Sequence, residues 1–193
     1  AVDMTDDAGN TASAATDFDL DTTADADTNF AVTVAASDEV TNLVESTDVS
    51  LSLSGIDADA LGVAVAITDG VNTVTADATN DGSGWVVADQ DLSTLDDGTL
   101  TVSAAVIDQA GNIADAVTDT LTLDTSADLD ELFTVSVAAD DAVTNAAEST
   151  NVSLSLSGID ADASSVSVAI TDGETTVTAD ATNDGSGWVV ADQ

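Results

Sequence analysis

The stretch STDVSLSLSGIDADALGVAVAITDGVNTVTADATNDGSGWVVADQ, residues 46–90, occurs a second time in this chain, at residues 149–193, with six differences. The repetition continues upstream, because Phe30-Ala-Val-Thr-Val is matched by Phe133-Thr-Val-Ser-Val, and Asp6-Asp-Ala-Gly-Asn by Asp108-Gln-Ala-Gly-Asn. A period of about 100 residues is that of a whole domain, whereas a solenoid turn repeats every 20–50 residues. The period predicts that residues 1–20 end one repeat, 21–123 form a complete one and 124–193 begin a third.

Apolar residues alternate with polar ones within the repeat, as in Val49, Leu51 and Leu53 or Val63, Val65 and Ile67. This period of two, in short runs rich in Val and Thr, predicts strands with one buried face. Asp-Gly and Gly-rich turns separate the runs and indicate a seven-stranded sandwich. The predicted strands lie near 30–35, 48–54, 62–68, 72–78, 85–89, 99–107 and 116–123. Trp85 and Trp188 follow Gly-rich turns; a core position is favoured over a sugar-stacking platform.

The composition excludes several classes of function. The 193 residues include 38 Asp and Glu but no Lys, Arg, His, Cys or Pro, for a formal net charge of −38. There is therefore no imidazole base, thiolate nucleophile or His/Cys zinc site, and no basic patch for nucleic acid. A disordered acidic tail is the alternative interpretation, but an apolar fraction of 44% is enough to build a core. The chain is expected not to insert into a membrane, because it contains no apolar run of 18 residues.

Three segments resemble parts of bacterial immunoglobulin-like repeats: residues 107–128 (IDQAGNIADAVTDTLTLDTSAD), 140–158 and 80–112. They are most similar to extender repeats of giant adhesins that Gram-negative bacteria export by type I secretion. The resemblance implies an all-β fold of tandem immunoglobulin-like β-sandwich domains of Greek-key topology, joined end to end. It also implies a calcium-rigidified stalk on the cell surface that projects a ligand-binding region for adhesion or biofilm formation. Many such repeats have Pro where this chain has Asp25 and Asp128.

Carboxylates concentrate in the linkers and in the loops that a sandwich places at its two ends. Uncompensated carboxylates close together repel one another unless a cation joins them, and Ca²⁺ takes 6–8 oxygen ligands. Ca²⁺ is predicted where the 19–27 linker meets the loops after the second and sixth strands, and again at the next linker. An EF-hand is rejected, since the required Gly and Glu are missing. The candidate ligands are Asp19, Asp21, Asp25, Asp27, Asp57, Asp59 and Asp108, then Glu45, Asp96 and Asp97, then Asp124, Asp128, Asp130, Asp160 and Asp162, with Asp38 and Glu39 as further acids.

Catalysis is not expected, because neighbouring acids on loops lack the cleft and tuned environment of a glycosidase. The alternative function is an immunoglobulin-like carbohydrate- or protein-binding module of a surface-layer protein or phage fibre. The predicted partners are calcium and neighbouring repeats of the same chain. Strand complementation between copies is a further hypothesis, because residues 1–20 hold the strands that residues 124–193 lack.

Overall fold

A computed structural model of the chain describes residues 1–35, 40–137, 145–146, 149 and 151–192. These residues form two compact units, Ala1–Asp124 and Thr125–Gln193. Regular structure is almost entirely β-strand, and the described residues contain a single short 3₁₀ turn, η1 (Glu45–Thr47). No helix within them is long and apolar enough to cross a membrane. The predicted all-β fold is confirmed.

The first unit contains eleven strands among its described residues. They are β1 (Val2–Thr5), β2 (Thr11–Ala14), β3 (Ala31–Val34), β4 (Val40–Thr41), β5 (Leu51–Ser54), β6 (Ala60–Thr68), β7 (Thr73–Asp77), β8 (Thr79–Asn80), β9 (Trp85–Val86), β10 (Gly98–Asp108) and β11 (Val117–Leu123). All seven predicted strand regions contain a strand. Two short strands lie outside those regions: β8, and β4, whose two residues pair in parallel with the end of β11.

Two sheets build the sandwich of the first unit. One has five strands in the order β4-β11-β10-β6-β7, and the other pairs β3 with β5. An isolated bridge between Val49 and Gln90 joins the second sheet to the segment that follows β9. β10 is central, because it pairs antiparallel with β6 on one side and with β11 on the other. This order brings the loops after β5 and β10 to the same end of the sandwich.

The alternating apolar residues form one core between the two sheets. Val63, Val65 and Ile67 of β6 are buried, and the polar or small residues between them face outwards. The core also contains Phe30 and the inward side of β10. Trp85 is half-buried and packs against this core, as favoured for it. Burial of these side chains is the main source of stability that a chain without a single Lys or Arg has available.

The second unit repeats the first part of this plan. Its strands are β12 (Thr134–Val137), β13 (Leu154–Ser157), β14 (Ser167–Thr171), β15 (Thr176–Asp180), β16 (Thr182–Asn183) and β17 (Trp188–Val189). They form three separate antiparallel pairs, β12-β13, β14-β15 and β16-β17. β14 begins at Ser167, four residues after Ala163, which is the equivalent of Ala60, the first residue of β6. All five residues of β14 pair with β15.

Candidate metal centres

A close backbone contact holds the linker before β3 against the loop after β5. Gly55 has φ +67°, and a Cβ there would lie 2.0 Å from the carbonyl oxygen of Asn29. Only glycine tolerates both that conformation and that approach. Thr28, the residue before Asn29, has φ +59°, which is uncommon for a residue other than glycine. The linker therefore turns sharply at Thr28 and brings its carboxylates to the loop.

Three carboxylates meet at this turn: Asp25, Asp27 and Asp57, called here the first linker cluster. One oxygen from each lies within 4.8 Å of the others. Backbone N–H groups fix them, because Ala26 N–H donates to Asp57 Oδ2 at 2.9 Å, and Asn29 N–H donates to Asp25 Oδ1 at 3.3 Å and Asp27 Oδ1 at 3.2 Å. Hydrogen bonds from the backbone therefore hold all three carboxylates in place.

The second unit builds the same arrangement from Asp128, Asp130 and Asp160, the second linker cluster, whose oxygens also lie within 4.8 Å of one another. Leu129 N–H donates to Asp160 Oδ2 at 2.9 Å, as Ala26 does to Asp57 in the first unit. Glu131 has φ +57° and Gly158 has φ +67°. The geometry recurs although the linker sequence changes from DADTN to DLDEL.

A third group, the loop cluster, consists of Asp21, Asp59 and Asp108. Asp108 at the end of β10 is fully buried, and its carboxylate accepts hydrogen bonds from the backbone N–H and the side-chain amide of Asn112, both at 2.7 Å. The Asn112 amide also donates to Asp21 Oδ1 at 3.5 Å. This cluster therefore joins the start of the linker to the loops after β5 and β10.

Charge repulsion within the loop cluster affects the pKa of one of its members. A hydrogen bond from its own backbone acts to lower the pKa of Asp59. Desolvation, a side-chain hydrogen bond with Asp21 and the negative charges of Asp21 and Asp108 together outweigh it, so the pKa of Asp59 is raised. The pKa of Asp108 is lowered: burial raises it, but the hydrogen bonds from Asn112, Gly111 and Ala110 together have the larger effect. The loop cluster thus contains a carboxylate that its neighbours disfavour in the ionised form.

The donor sets of all three clusters fit a hard divalent cation. Oxygens bound to one Ca²⁺ at 2.3–2.6 Å can lie no more than about 5 Å apart, and the 4.8 Å limit of each cluster meets that condition. The chain has no Lys, Arg or His that could neutralise these carboxylates. Oxygen-only ligands favour Ca²⁺ or Mg²⁺ over transition metals. The flexible coordination of Ca²⁺ suits ligands from separate loops better than the strict octahedron of Mg²⁺.

Nine of the fifteen candidate ligands from the sequence fall in these clusters. The acids of the first linker are divided between two of them, because Asp25 and Asp27 belong to the first linker cluster and Asp21 to the loop cluster. Glu45 lies in η1, where its carboxylate accepts the Asn42 N–H at 3.1 Å. Asp96 donates its N–H to Asp69. In the described part of the chain, no group of three acids contains the remaining candidates. These are Asp19, Glu45, Asp96, Asp97, Asp124 and Asp162; the further acids Asp38 and Glu39 lie outside the described residues.

Sequence reasoning overlooked the asparagine that organises the loop cluster. Asn112 lies in the AGN motif that helped to define the repeat, four residues after Asp108, and that spacing is typical of a side chain closing a turn. Asp69 was also overlooked: its carboxylate accepts N–H groups from Val71, Asn72 and Asp96. An Asp-Gly pair had marked this turn, but the contact with Asp96 arises only from the tertiary fold.

Comparison with known proteins places the chain in a bacterial domain family. The profile of one family, the bacterial Ig-like domain, matches residues 23–125. A Ca²⁺-stabilised adhesin that helps an Antarctic bacterium reach out and bind ice is 29% identical, with a TM-score of 0.54 over 98% of this chain and 46% of that one. A tetra-tandem repeat in the extending region of a large adhesion protein is 27% identical (TM-score 0.41; 83% and 39% covered).

A 1.5-MDa bacterial ice-binding adhesin, from a study of host cell surface retention, is 30% identical, with a TM-score of 0.45 over 85% of this chain and 52% of that one. This chain therefore spans between 39% and 52% of the length of these three relatives. No curated protein matches it.

Proposed function

Because this chain belongs to the bacterial Ig-like domain family, we propose that it is a calcium-rigidified stalk segment of a large, secreted bacterial surface adhesin. Its likeness to adhesin repeats supports a stalk role. In this proposal the tandem repeats hold a distal ligand-binding region away from the cell for adhesion or biofilm formation. The partners of the segment are calcium and the neighbouring repeats, and it performs no catalysis.

The recurrence of the linker cluster carries the proposal. The two clusters lie 103 residues apart, and each has two linker aspartates, one loop aspartate, a positive φ at the following linker residue and a glycine that receives the linker backbone. Acids that only face solvent would not be expected to keep equivalent hydrogen-bond partners and the same positive φ values in both units. A repeated ligand set explains why linkers of different sequence keep one conformation.

Calcium would stiffen the stalk by holding each linker against its own unit. Asp25 and Asp27 come from the linker, whereas Asp57 follows β5, so one ion bound by all three would prevent the linker from swinging away. The loop cluster adds a second attachment through Asp21, four residues earlier. A linker without Pro is otherwise flexible, and it is this freedom that the ion removes. Binding to the folded state also stabilises it, by about 2.7 kcal/mol when the free ion is at 100 times its Kd.

A calcium titration of the full chain tests the proposal. Calorimetry at 150 mM NaCl should detect binding to wild-type protein, and 1 mM Ca²⁺ should raise the melting temperature and lengthen the particle in small-angle scattering relative to EDTA. D57N and D160N should each weaken binding, because the amide oxygen can still accept the backbone N–H but the ligand charge is lost.

Asp77→Asn is the matched control, because this exposed residue of β7 removes the same charge away from all three clusters. Its calcium affinity should equal that of the wild type. Equal affinities for the wild type, D57N and D160N would overturn the assignment of the clusters. A melting temperature and scattering profile indifferent to calcium would overturn the stiffening mechanism itself.

A further inference from the structure

The segment by which the chain enters the sandwich of the first unit lies beside the segment by which it leaves, and the two run in the same direction. β4 pairs in parallel with the end of β11, through Val40↔Thr122 and Thr41↔Leu123. The backbone N–H of Asp124 extends this pairing, because it donates to the Thr41 carbonyl oxygen at 2.9 Å. The entering and leaving segments are therefore bonded directly to each other.

A carboxylate makes a second connection between the same two segments. Asp119 of β11 accepts the Val34 N–H from the end of β3 on Oδ2 at 2.9 Å, and the Thr120 N–H on Oδ1 at 2.9 Å. This side chain bridges the backbones of β3 and β11, which belong to different sheets. Because an N–H group holds each of its oxygens, the orientation of the bridge is fixed.

The strand directions decide how these bonds are loaded when the chain is pulled. β3 begins at Ala31 opposite Ser54, at the end of the sandwich that holds the loop after β5. β11 finishes at Leu123 opposite Gly98, at the other end. Tension along the chain therefore draws the entering and leaving segments past each other along their length. Ladder hydrogen bonds run across the strands, so this sliding strains every bond between the segments at once, whereas a pull across the strands would break them one at a time.

We propose that β4, the end of β11 and the Asp119 bridge, called here the clamp, set the tension at which this domain unfolds. The inference rests on the proposed function, since a stalk that connects a cell to a bound target is pulled along its length. The β6-β10 and β10-β11 ladders are much longer, but β10 is attached to neither linker. The clamp is therefore the shortest path for load from one linker to the other, and the sandwich opens when it fails.

Such a clamp separates resistance to force from equilibrium stability. Forced unfolding is governed by the rate of unfolding rather than by the free energy of the folded state. Loss of the Asp119 bridge should therefore accelerate forced unfolding more than the loss of several bonds elsewhere. Asp69 offers the comparison, because its carboxylate accepts three backbone N–H groups, none of which belongs to β3, β4 or β11.

Constant-force pulling of single full-length molecules, in EDTA and in 1 mM Ca²⁺, tests the clamp. A handle is fused to each end, and unfolding of residues 21–123 is recognised by a gain in length of about 300 Å, more than the shorter second unit can release. Asp119→Ala should unfold about tenfold faster than the wild type at a fixed force, which corresponds to about 1.4 kcal/mol, the lower end for a hydrogen bond to a charged group. Asp119→Asn, whose amide offers one oxygen instead of two, should unfold at an intermediate rate.

Asp69→Ala is the matched control, because it also removes a carboxylate that accepts backbone N–H groups. It should lose at least as much stability in urea as D119A, since it loses three such bonds rather than two, yet unfold under force within about twofold of the wild-type rate. An acceleration by D69A equal to or larger than that by D119A would overturn the clamp. The comparison in EDTA does not depend on calcium, so a faster D119A together with no response of any variant to calcium would reject the calcium-rigidified linkers and leave the clamp standing.

Discussion

Replacing Gly55 with alanine tests whether the contact between the loop after β5 and the linker holds the first linker cluster together. The substitution has two separable costs. Alanine at φ +67° costs about 1–2 kcal/mol relative to glycine, because its Cβ approaches the backbone. The new Cβ would also lie 2.0 Å from the Asn29 oxygen, so the linker backbone must move, which for an overpacked site costs about 1–3 kcal/mol.

Gly70→Ala isolates the first of these costs. Gly70 has φ +94°, and no heavy atom lies within 4 Å of the position that its Cβ would take. This control should therefore lose stability only through its backbone conformation. The excess loss in G55A, about 1–3 kcal/mol, measures the contact with the linker. Since Asn29 N–H binds two carboxylates of the cluster, G55A should also weaken calcium binding, whereas G70A should leave it unchanged.

Urea unfolding followed by tryptophan fluorescence provides the assay. Trp188 is first replaced by Phe so that Trp85, which packs against the core of the first unit, is the only reporter. With a slope of about 2 kcal/mol per M, an excess of 2 kcal/mol appears as a midpoint about 1 M lower than that of G70A. Midpoints and calcium affinities that agree between G55A and G70A would refute the view that Gly55 positions the linker.

Three other perturbations separate repulsion, hydrogen bonding and packing. Asp59→Asn should raise the melting temperature in EDTA, because it removes a carboxylate that its neighbours disfavour in the ionised form, and should lower the gain from added calcium; equal decreases in both buffers would contradict this. The pKa of Asp69 lies well below 3.8 because of N–H groups from Asp96, Asn72 and Val71, so its stabilisation is present above that value and is lost as the pH falls through the lower folded pKa. D69N should therefore show a smaller loss of stability than the wild type when calcium-free protein is acidified below pH 4 in a denaturation series. Leu100→Ala should cost about 2–5 kcal/mol by urea unfolding because the side chain is fully buried, whereas Leu61→Ala, at a 63% exposed position, should have almost no effect.

The strands could be predicted from the sequence because their cause is local. Alternation of buried aliphatic residues with small or polar ones in β6 and β10 specifies both the strand and its buried face. The two-residue β4 carries no such pattern. It exists because Val40 and Thr41 lie beside the end of β11, which is a tertiary fact.

The candidate site was only partly predictable for the same reason. The linker acids stood out because they recur at one period, and the loop acids because a sandwich brings those loops to one end. Their division into two linker clusters and a loop cluster depends on where single backbones pass. Thr28 at positive φ and the Gly55 contact decide that division, and neither has a signal in residue type beyond the glycine itself.

The ligand sets have a consequence for how the length of such a molecule can change. Every member of the first linker cluster lies between residues 25 and 57, and every member of the loop cluster between 21 and 108. Each set is therefore contained in one period of 103 residues. Unequal recombination between near-identical copies, by inserting or deleting whole periods, leaves every surviving set intact. The length of the stalk can then change by one domain at a time among descendants of a single gene, without any change in the sequence of the linkers.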